Sequence, residues 1–358
     1  MPNTNQFRLP AEWEPQDAVM LTWPHAATDW NDCLEAISQT YVQMAHAISR
    51  QERLLIVTPH AEEVKALLGQ RLTAAQMANI GFHECPTNDT WARDHGFISL
   101  TDGQGSARLL DFCFNGWGCK FEAALDNRIN RSIFDAGWLN GHYCDCLDFV
   151  LEGGSIESDG RGTVFTTSQC LMAPHRNEPL GRHEVELRLK ETLQADRIVW
   201  LDHGNLVGDD TDGHIDTIVR VAPGDTLVYV GCDNRHDEQW ADFKALEQQL
   251  EELKTADGQP YRLLRLPMPD AICDDDGNRL PATYANFLVM NRCVLVPVYG
   301  QTRNDEAALR IIGEAFPDRE LEAIDSRTII LQHGSLHCCT MQLPQGVLRT
   351  PKDTNTEK

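Results

Sequence analysis

The chain has 358 residues, of which 42% are hydrophobic and 24% are charged, a balance typical of a soluble globular protein and not of a disordered, fibrous or membrane-embedded one. It carries 31 Lys and Arg against 54 Asp and Glu, and the resulting net charge of -23 excludes a nucleic-acid surface and favours a cationic ligand. The N-terminal stretch MPNTNQFRLPAEWEPQ lacks a signal peptide pattern and no apolar run could span a bilayer, so we expect a cytoplasmic protein without membrane association.

No linker-like stretch divides the chain, so we expect one domain over residues 1–350 and a disordered tail over residues 351–358. The 12 cysteines are expected to be reduced, and most of them to be small core residues.

Strand and helix signals recur in one order along the chain. Two looser copies fill the first half, with AVMLTWP as a strand, a helix near residues 31–50 and LLIVTP as the next strand. DFVLEGGSIESDGRGTVFTT then predicts two strands about a polar turn. RHEVELRLKETLQ follows as a helix with Val185, Leu189 and Leu193 on one side, and RIVWLD as a further strand.

The order of hairpin, helix and strand then occurs twice more. One copy runs through HIDTIVRVAPGDTLVYVGC, DEQWADFKALEQQLEELK and YRLLRLP, and the next from YANFLVMNRCVLVPVYG through DEAALRIIGEAF to RELEAI. Units of roughly 60 to 70 residues cannot bury their own apolar faces, so about five of them could close into a ring. A layered sheet with flanking helices explains the same pattern.

Ionisable groups stand beside glycines where strands are predicted to begin. Asp94 lies in NDTWARDHGF, Glu152 in LEGGSIESDGRGT, His214 and Asp216 in DDTDGHIDTIVR, and Cys338 in HGSLHCCT. A thiol can act as a nucleophile, a histidine can transfer protons, and carboxylates can hold a cation that offsets their effect on the thiol. A planar guanidinium suits paired carboxylates best.

Each of these residues also has a structural explanation. Asp94 could form an ion pair with Arg93, Glu152 could stand in a turn, and Cys338 could simply be packed. A metal-dependent amidohydrolase is a second interpretation, because four residues could bind an ion together: His214, Asp216, His333 and His337. Three further carboxylates are expected to be solvated loop charges, although they could also hold a substrate ammonium: Asp209, Asp210 and Asp212.

The adjacent pair Cys338 and Cys339 is expected to have unequal roles. Successive side chains on a strand point to opposite faces, so only one of the two could enter a site, and alternation does not say which.

Seven motifs in this order resemble agmatine deiminases, within the guanidino-modifying pentein superfamily that includes bacterial peptidylarginine deiminases. They are PAEWEPQDAVMLTWP, NDTWARDHG, DFCFNGWG, LEGGSIESDGRGT, DGHID, YANFLVMNRCVLVP and LHCCTMQ. The resemblance implies a single catalytic domain with an α/β fold, a five-bladed propeller of five ββαβ units around a pseudo-fivefold axis. It also implies hydrolysis of agmatine to N-carbamoylputrescine and ammonia without metal or cofactor, and a place in polyamine metabolism. A homodimer is a further expectation.

Residue roles follow from the same resemblance. The nucleophile falls on Cys338, which would form a thiouronium intermediate, and the general acid and base on His214. The guanidinium-binding carboxylates fall on Asp94, Glu152 and Asp216. Two further substrate-binding residues fall on Trp91 and Asn286.

Two departures from the pattern leave the substrate open. Phe97 and the stretch HGSL differ from the typical motifs, so a related deiminase could act on another guanidino compound or on peptidyl-arginine. A guanidino-binding protein without catalytic activity is a third alternative.

The cysteine pair gives the first test. We expect Cys338→Ala to abolish ammonia release from agmatine, because the nucleophile is lost, whereas Cys339→Ala should retain turnover and lose only packing. Steady-state ammonia assays on the two purified variants measure this difference. Equal activity of both variants would contradict the assignment.

Overall fold

The computed structural model describes residues 7–349. The predicted tail, residues 351–358, lies outside the described residues.

Sixteen strands form five separate small sheets within the described residues. In chain order the strands are β1 (Gln16–Thr22), β2 (Arg53–Thr58), β3 (Ile80–Glu84), β4 (Ile98–Thr101), β5 (Ala107–Cys113), β6 (His142–Val150), β7 (Ile156–Ser158), β8 (Thr163–Thr167), β9 (Arg197–Leu201), β10 (Val219–Ala222), β11 (Thr226–Gly231), β12 (Arg262–Pro267), β13 (Leu288–Val289), β14 (Cys293–Val298), β15 (Glu320–Asp325) and β16 (Thr340–Pro344).

Helices connect the strands. They are α1 (Leu34–Ser49), α2 (Ala61–Gly69), α3 (Ala74–Ala78), α4 (Ala92–His95), α5 (Gly116–Cys119), α6 (Ile129–Asp135), α7 (Ser168–Leu171), α8 (Arg182–Leu193), α9 (Trp240–Glu252) and α10 (Thr302–Ala315). Short 3-10 turns span Asn31–Cys33, Asp126–Arg128, Gly153–Ser155, Ile215–Thr217 and Ile329–Gln332.

Four of the five sheets are built from one continuous segment each, in which an antiparallel pair of strands is followed by a helix and a parallel strand. Strands β10 and β11 pair antiparallel, α9 follows, and β12 returns parallel to β11. The sheets β4-β5-β6, β7-β8-β9 and β13-β14-β15 have the same pattern. The predicted order of hairpin, helix and strand is therefore confirmed.

The remaining sheet joins the two ends of the chain. Strand β1 pairs antiparallel with β16, with Met20 opposite Met341, and parallel with β2 across α1, while β3 extends the sheet beyond β2. The fifth unit is thus completed only by the last strand.

Hydrogen bonds link neighbouring sheets in a closed circuit at the centre of the molecule. They run from Arg93 N to Cys338 O (3.1 Å), from Gly154 N to Asp94 Oδ1 (3.1 Å), from Thr167 Oγ1 to Gly213 O (2.6 Å), from Asn286 Nδ2 to Asp216 O (3.4 Å) and from His337 N to Asn286 O (3.2 Å). The circuit passes through all five sheets and returns to its start. The chain is a five-bladed α/β propeller of ββαβ units, and the ring predicted by the resemblance is confirmed.

The apolar core lies between the sheets and the helices on their outer faces. Val185, Leu189 and Leu193 of α8 are buried, as their helical spacing predicts. In α9 the buried residues are Phe243, Leu246 and Leu250, whereas the apolar residues at its ends are only partly buried.

Two local predictions require correction. Residues Asp148–Val150 of DFVLEGG belong to β6 of the preceding sheet, and the hairpin consists only of β7 and β8. Cys338 and Cys339 lie in a turn before β16 and not on a strand, so strand alternation does not separate them. All 12 cysteines are free thiols, as expected.

Within residues 7–349, none of the helices has both the length and the apolar character needed to cross a bilayer.

Two leucines on neighbouring helices test the core assignment. Leu246 is fully buried, whereas Leu187 of α8 is 53% exposed. We expect Leu246→Ala to lower the free energy of unfolding by about 2–5 kcal/mol, because it leaves a cavity between α9 and its sheet. Leu187→Ala should change it by less than about 0.5 kcal/mol. Urea denaturation followed by circular dichroism measures both, and equal losses would contradict this packing.

Candidate active site

Each of the five units directs a functional side chain to the centre of the ring, shortly before its first strand. Asp94 precedes β4, Glu152 precedes β7, His214 and Asp216 precede β10, Asn286 precedes β13 and Cys338 precedes β16. Residues far apart in sequence therefore meet because equivalent strand ends meet.

The Cys338 thiol is held on two sides. Its Sγ lies 3.2 Å from Asn286 Nδ2 and 3.8 Å from Asp216 Oδ2. Asn286 Oδ1 accepts hydrogen bonds from the backbone N–H groups of His337 (2.9 Å) and Cys338 (3.2 Å), which fixes the turn that carries the thiol. Burial, followed by the charges of Asp216 and Asp94, raises the pKa of Cys338 well above its usual range.

Cys339 has different surroundings. Burial raises its pKa to about 12, and its side chain lies against Tyr41 in the apolar core. The turn therefore separates the two thiols, as strand alternation was expected to do.

Asp94 is oriented by two donors. Trp117 Nε1 donates to Asp94 Oδ2 at 3.0 Å, and Gly154 N donates to Asp94 Oδ1 at 3.1 Å. Burial, Asp216 and Glu152 together raise the pKa of Asp94 well above its usual range. A bound cation would oppose this shift and favour the ionised carboxylate.

Trp117 reaches Asp94 from an unusual backbone conformation. It has φ 55° in α5, a left-handed conformation that is uncommon for a residue other than glycine. Such a conformation costs on the order of 1–3 kcal/mol and is typical of sites where a side chain must be aimed.

Glu152 forms a buried ion pair with Arg176. Arg176 Nε donates to Glu152 Oε1 at 2.8 Å, NH1 donates to Asp212 Oδ2 at 2.9 Å, and NH2 donates to Thr211 O at 2.8 Å. Both side chains of the pair are completely buried. Burial still raises the pKa of Glu152, although Arg176 opposes the shift.

Several buried polar atoms at the centre have no partner among the described residues. They are both ring nitrogens of His214, Glu152 Oε2 and Asp216 Oδ1. Burial lowers the pKa of His214 to about 3, so its imidazole is neutral at neutral pH. Buried polar atoms without partners are costly, and three of these four are acceptors because a neutral imidazole has one acceptor nitrogen. Their presence together indicates a site for a ligand with several N–H donors.

Gly154 leaves the space between these groups open. A Cβ there would lie 2.6 Å from His214 Nδ1, 2.9 Å from Asp94 Oδ1 and 3.1 Å from Asp216 Oδ2. His214, Asp94 and Asp216 therefore approach one common point, and only glycine fits beside it.

A cavity of about 160 Å³ leads to Cys338. Among residues 7–349, its lining contains five aspartates and three aromatic residues but no lysine or arginine. The aspartates and aromatic residues are Asp29, Asp89, Asp94, Asp209, Asp210, Trp91, Trp117 and Phe121. Trp91 Nε1 donates to Asp89 Oδ2 at 3.1 Å. Asn286 stands behind the thiol, outside this lining.

The three loop aspartates that were expected to be solvated are each partly exposed. Asp209 accepts hydrogen bonds from Thr211 and Gly213 and lines the cavity, and Asp212 pairs with Arg176 and Lys120. Asp210 also lines the cavity.

The alternative metal set is not assembled. His333 Nδ1 lies 2.6 Å from Gly208 O and is separate from the others. The groups of metal-ligating atoms that do lie within 4.8 Å of one another, among residues 7–349, are two different sets: Glu152, Cys170 and His214, and Glu12, Glu157 and His337.

Sequence reasoning missed three residues that contact the site. Trp117 lies in the motif DFCFNGWG, and Glu12 lies in PAEWEPQ, so a comparison of these motifs with the family could have identified both residues. Arg176 carries no local signal, because only the folded chain brings it to Glu152.

A thiol, a neutral imidazole and convergent carboxylates at the centre of a five-bladed α/β propeller define a guanidino-modifying enzyme of pentein fold. The chain belongs to the Porphyromonas-type peptidyl-arginine deiminase family, whose model matches residues 8–344. It is therefore a hydrolase of guanidino C–N bonds.

Individual relatives agree over nearly the whole chain. An agmatine deiminase from Stutzerimonas stutzeri is 32% identical over 374 residues, covering 97% of this chain and 98% of its own. The structure of a C. jejuni agmatine deiminase with substrate bound, in a cysteine-to-serine variant, is 34% identical, with a TM-score of 0.87 and coverage of 96% and 98%. A Porphyromonas gingivalis structure with a provisional arginine deiminase designation is 48% identical, with a TM-score of 0.90 and coverage of 96% and 100%.

The raised pKa of Cys338 predicts its reactivity in the free protein. Iodoacetamide should modify Cys338 far more slowly than the exposed Cys119 at neutral pH, because the buried thiol stays protonated. The Cys338 rate should still be rising at about pH 9, since a raised pKa moves thiolate formation upward. Peptide mapping by mass spectrometry gives both rates, and a Cys338 rate already constant below about pH 8 would contradict this.

Proposed function

We propose that the protein is an agmatine deiminase that hydrolyses agmatine to N-carbamoylputrescine and ammonia through a covalent intermediate on Cys338. The supporting observation is the set of buried polar atoms without hydrogen-bond partners around the thiol: Glu152 Oε2, Asp216 Oδ1 and the His214 ring nitrogens. A guanidinium is planar and presents several N–H donors, so it can satisfy the two carboxylate oxygens and the acceptor nitrogen of His214 together.

The first step is binding of the guanidinium between Asp94 and Asp216. The positive charge of the substrate offsets the carboxylates that raise the pKa of the Cys338 thiol. The thiol proton passes to the neutral His214, and the thiolate attacks the central guanidinium carbon.

The second step breaks the C–N bond. His214 returns its proton to the leaving nitrogen, and ammonia departs from a thiouronium held on Cys338. Glu152, fixed by Arg176, lies close to His214 and supports its protonated form.

The third step restores the enzyme. His214 takes a proton from water, the hydroxide attacks the thiouronium carbon, and the C–S bond breaks to give the urea product and the free thiol. His214 then releases its proton to solvent and returns to its neutral form.

The cavity favours agmatine over free arginine. Asp29 and Asp89 lie in its lining, and burial followed by the charge of Asp29 raises the pKa of Asp89 to about 7. The ammonium of agmatine relieves this crowding of acidic groups, and Trp91, Trp117 and Phe121 offer apolar contact for its methylenes. The carboxylate of arginine would instead meet like charges, with no lysine or arginine in the lining to receive it.

A substrate screen tests the proposal. We expect kcat/KM for ammonia release to be at least about 100-fold higher with agmatine than with free arginine, since like charges in contact cost several kcal/mol. Methylated arginines and a peptide ending in arginine complete the panel.

Cys339→Ala is the matched control in this screen, and it should keep the order of substrates of the parent protein. Faster release from arginine or from the peptide than from agmatine would overturn the choice of substrate. No release from any of them would overturn the proposed function.

A further inference from the structure

A histidine bridges two carboxylates directly behind the nucleophile. His337, the residue before Cys338, is fully buried. Its Nδ1 lies 2.7 Å from Asp216 Oδ2, and its Nε2 lies 2.7 Å from Glu12 Oε1. A neutral imidazole can donate from only one nitrogen, so donation to two ionised carboxylates requires the doubly protonated ring.

The two carboxylates favour their ionised forms. Although burial works in the opposite direction, the hydrogen bond and charge of His337 lower the pKa of Asp216. Burial alone would raise the pKa of Glu12. The charges of His337, Arg220 and Arg93 outweigh burial and hold that pKa well below its usual range.

A positive His337 balances the surrounding charges when all three nearby carboxylates are ionised. Arg93 NH1 lies 3.0 Å from Glu12 Oε1, and Arg220 bridges Glu12 Oε2 and Glu157 Oε1. Three carboxylates then face three cations, because Asp216 completes the negative set and His337 the positive one. A neutral His337 would leave an uncompensated negative charge in a site where burial makes charge costly.

Glu12 is brought to this position by an N-terminal strap, residues 8–15, that crosses several blades. Its backbone is bonded by residues of four sheets or their flanking turns: Thr101 N to Arg8 O (2.9 Å), Ser158 Oγ to Leu9 O (3.1 Å), Arg319 NH2 to Trp13 O (2.8 Å) and Gln345 N to Pro15 O (2.9 Å). The strap is therefore fixed, and the Glu12 side chain is only 19% exposed.

The oxygen atoms of Glu12 already have cationic partners. Glu12, Glu157 and His337 lie close enough together to resemble a metal-ligand set. However, both oxygens of Glu12 and one of Glu157 are bonded to guanidinium groups, and the other oxygen of Glu157 accepts from Val221 N at 2.9 Å. The geometry points to an ion network and not to a cation site.

We propose that Glu12 is a positioning residue of the nucleophilic centre, which keeps His337 doubly protonated so that His337 holds Asp216 by one oxygen and leaves Oδ1 free for the substrate. The effect on turnover rests on the proposed function, whereas the protonation state of His337 does not.

The ionisable groups that face His337 come from five segments of the chain. They are Glu12, Arg93, Glu157, Asp216, Arg220 and Cys338.

The protonation state can be measured on the parent protein. In the protein labelled with ¹⁵N-histidine, we expect both ring nitrogens of His337 to carry protons at neutral pH, because each lies 2.7 Å from a carboxylate oxygen. The signal is assigned by its loss in His337→Gln. A singly protonated ring at neutral pH would overturn the proposal, even if Glu12 variants cannot be folded.

Kinetics test the consequence for the site. In Glu12→Gln the negative charge is removed and an oxygen acceptor is kept, so the second ring proton of His337 loses its ionised partner. We expect kcat/KM for agmatine to fall about tenfold while the ¹⁵N signal of His337 shows only one protonated ring nitrogen, because Asp216 then lacks its charged partner.

Glu14→Gln is the matched control, since Glu14 lies on the same strap but pairs with Arg8 at 2.6 Å. Its kcat/KM and its His337 ¹⁵N signal should coincide with those of the parent. A loss of kcat/KM in Glu12→Gln with both ring protons of His337 retained would indicate a purely structural role and overturn the proposal. Absence of ammonia release in the parent would instead refute the proposed function and leave the ¹⁵N measurement decisive.

Discussion

The pairing of β1 with β16 is the interaction on which the rest of the molecule depends. Five units that each expose an apolar edge can share one core only if the ring closes, and this pairing closes it. Closure also fixes the position of Cys338 at the centre of the ring, because the turn that carries Cys338 leads directly into β16. The nucleophile is thus placed by the same contact that completes the fold.

The centre is built so that the substrate supplies the missing charge. Without a ligand, burial shifts the pKa values of the Cys338 thiol, the Asp94 carboxyl group and the His214 imidazole in the directions that favour their neutral forms. Only Asp216, next to His337, favours its ionised form. A guanidinium would reverse these preferences together, so the reactive thiolate is linked to the presence of the group that it attacks.

The sequence predicted the parts of the molecule that have local signals. Asp94, Glu152 and Cys338 could be selected because each stands beside a glycine-rich strand end, and the buried face of α8 follows from helical spacing alone. Closure of the ring could not be derived from periodicity, since β1 and β16 lie at opposite ends of the chain, and the family resemblance was needed to favour it over a layered sheet.

Other features were beyond local reasoning for physical reasons. Arg176 becomes significant only through its contact with Glu152, and Glu12 only through His337. The turn at Cys338 and Cys339 could not be told from a strand, because two adjacent small apolar residues before Thr340 fit either conformation.

The position of Cys338 just ahead of the last strand also governs when the protein becomes chemically competent. While the chain is being synthesised, four units can form before β16 exists, and they already contain Asp94, Glu152, His214 and Asp216. These carboxylates could gather a cation, but no thiol is yet present to react with it. Chemistry therefore requires the last strand to be in place, because the turn that carries Cys338 leads directly into β16.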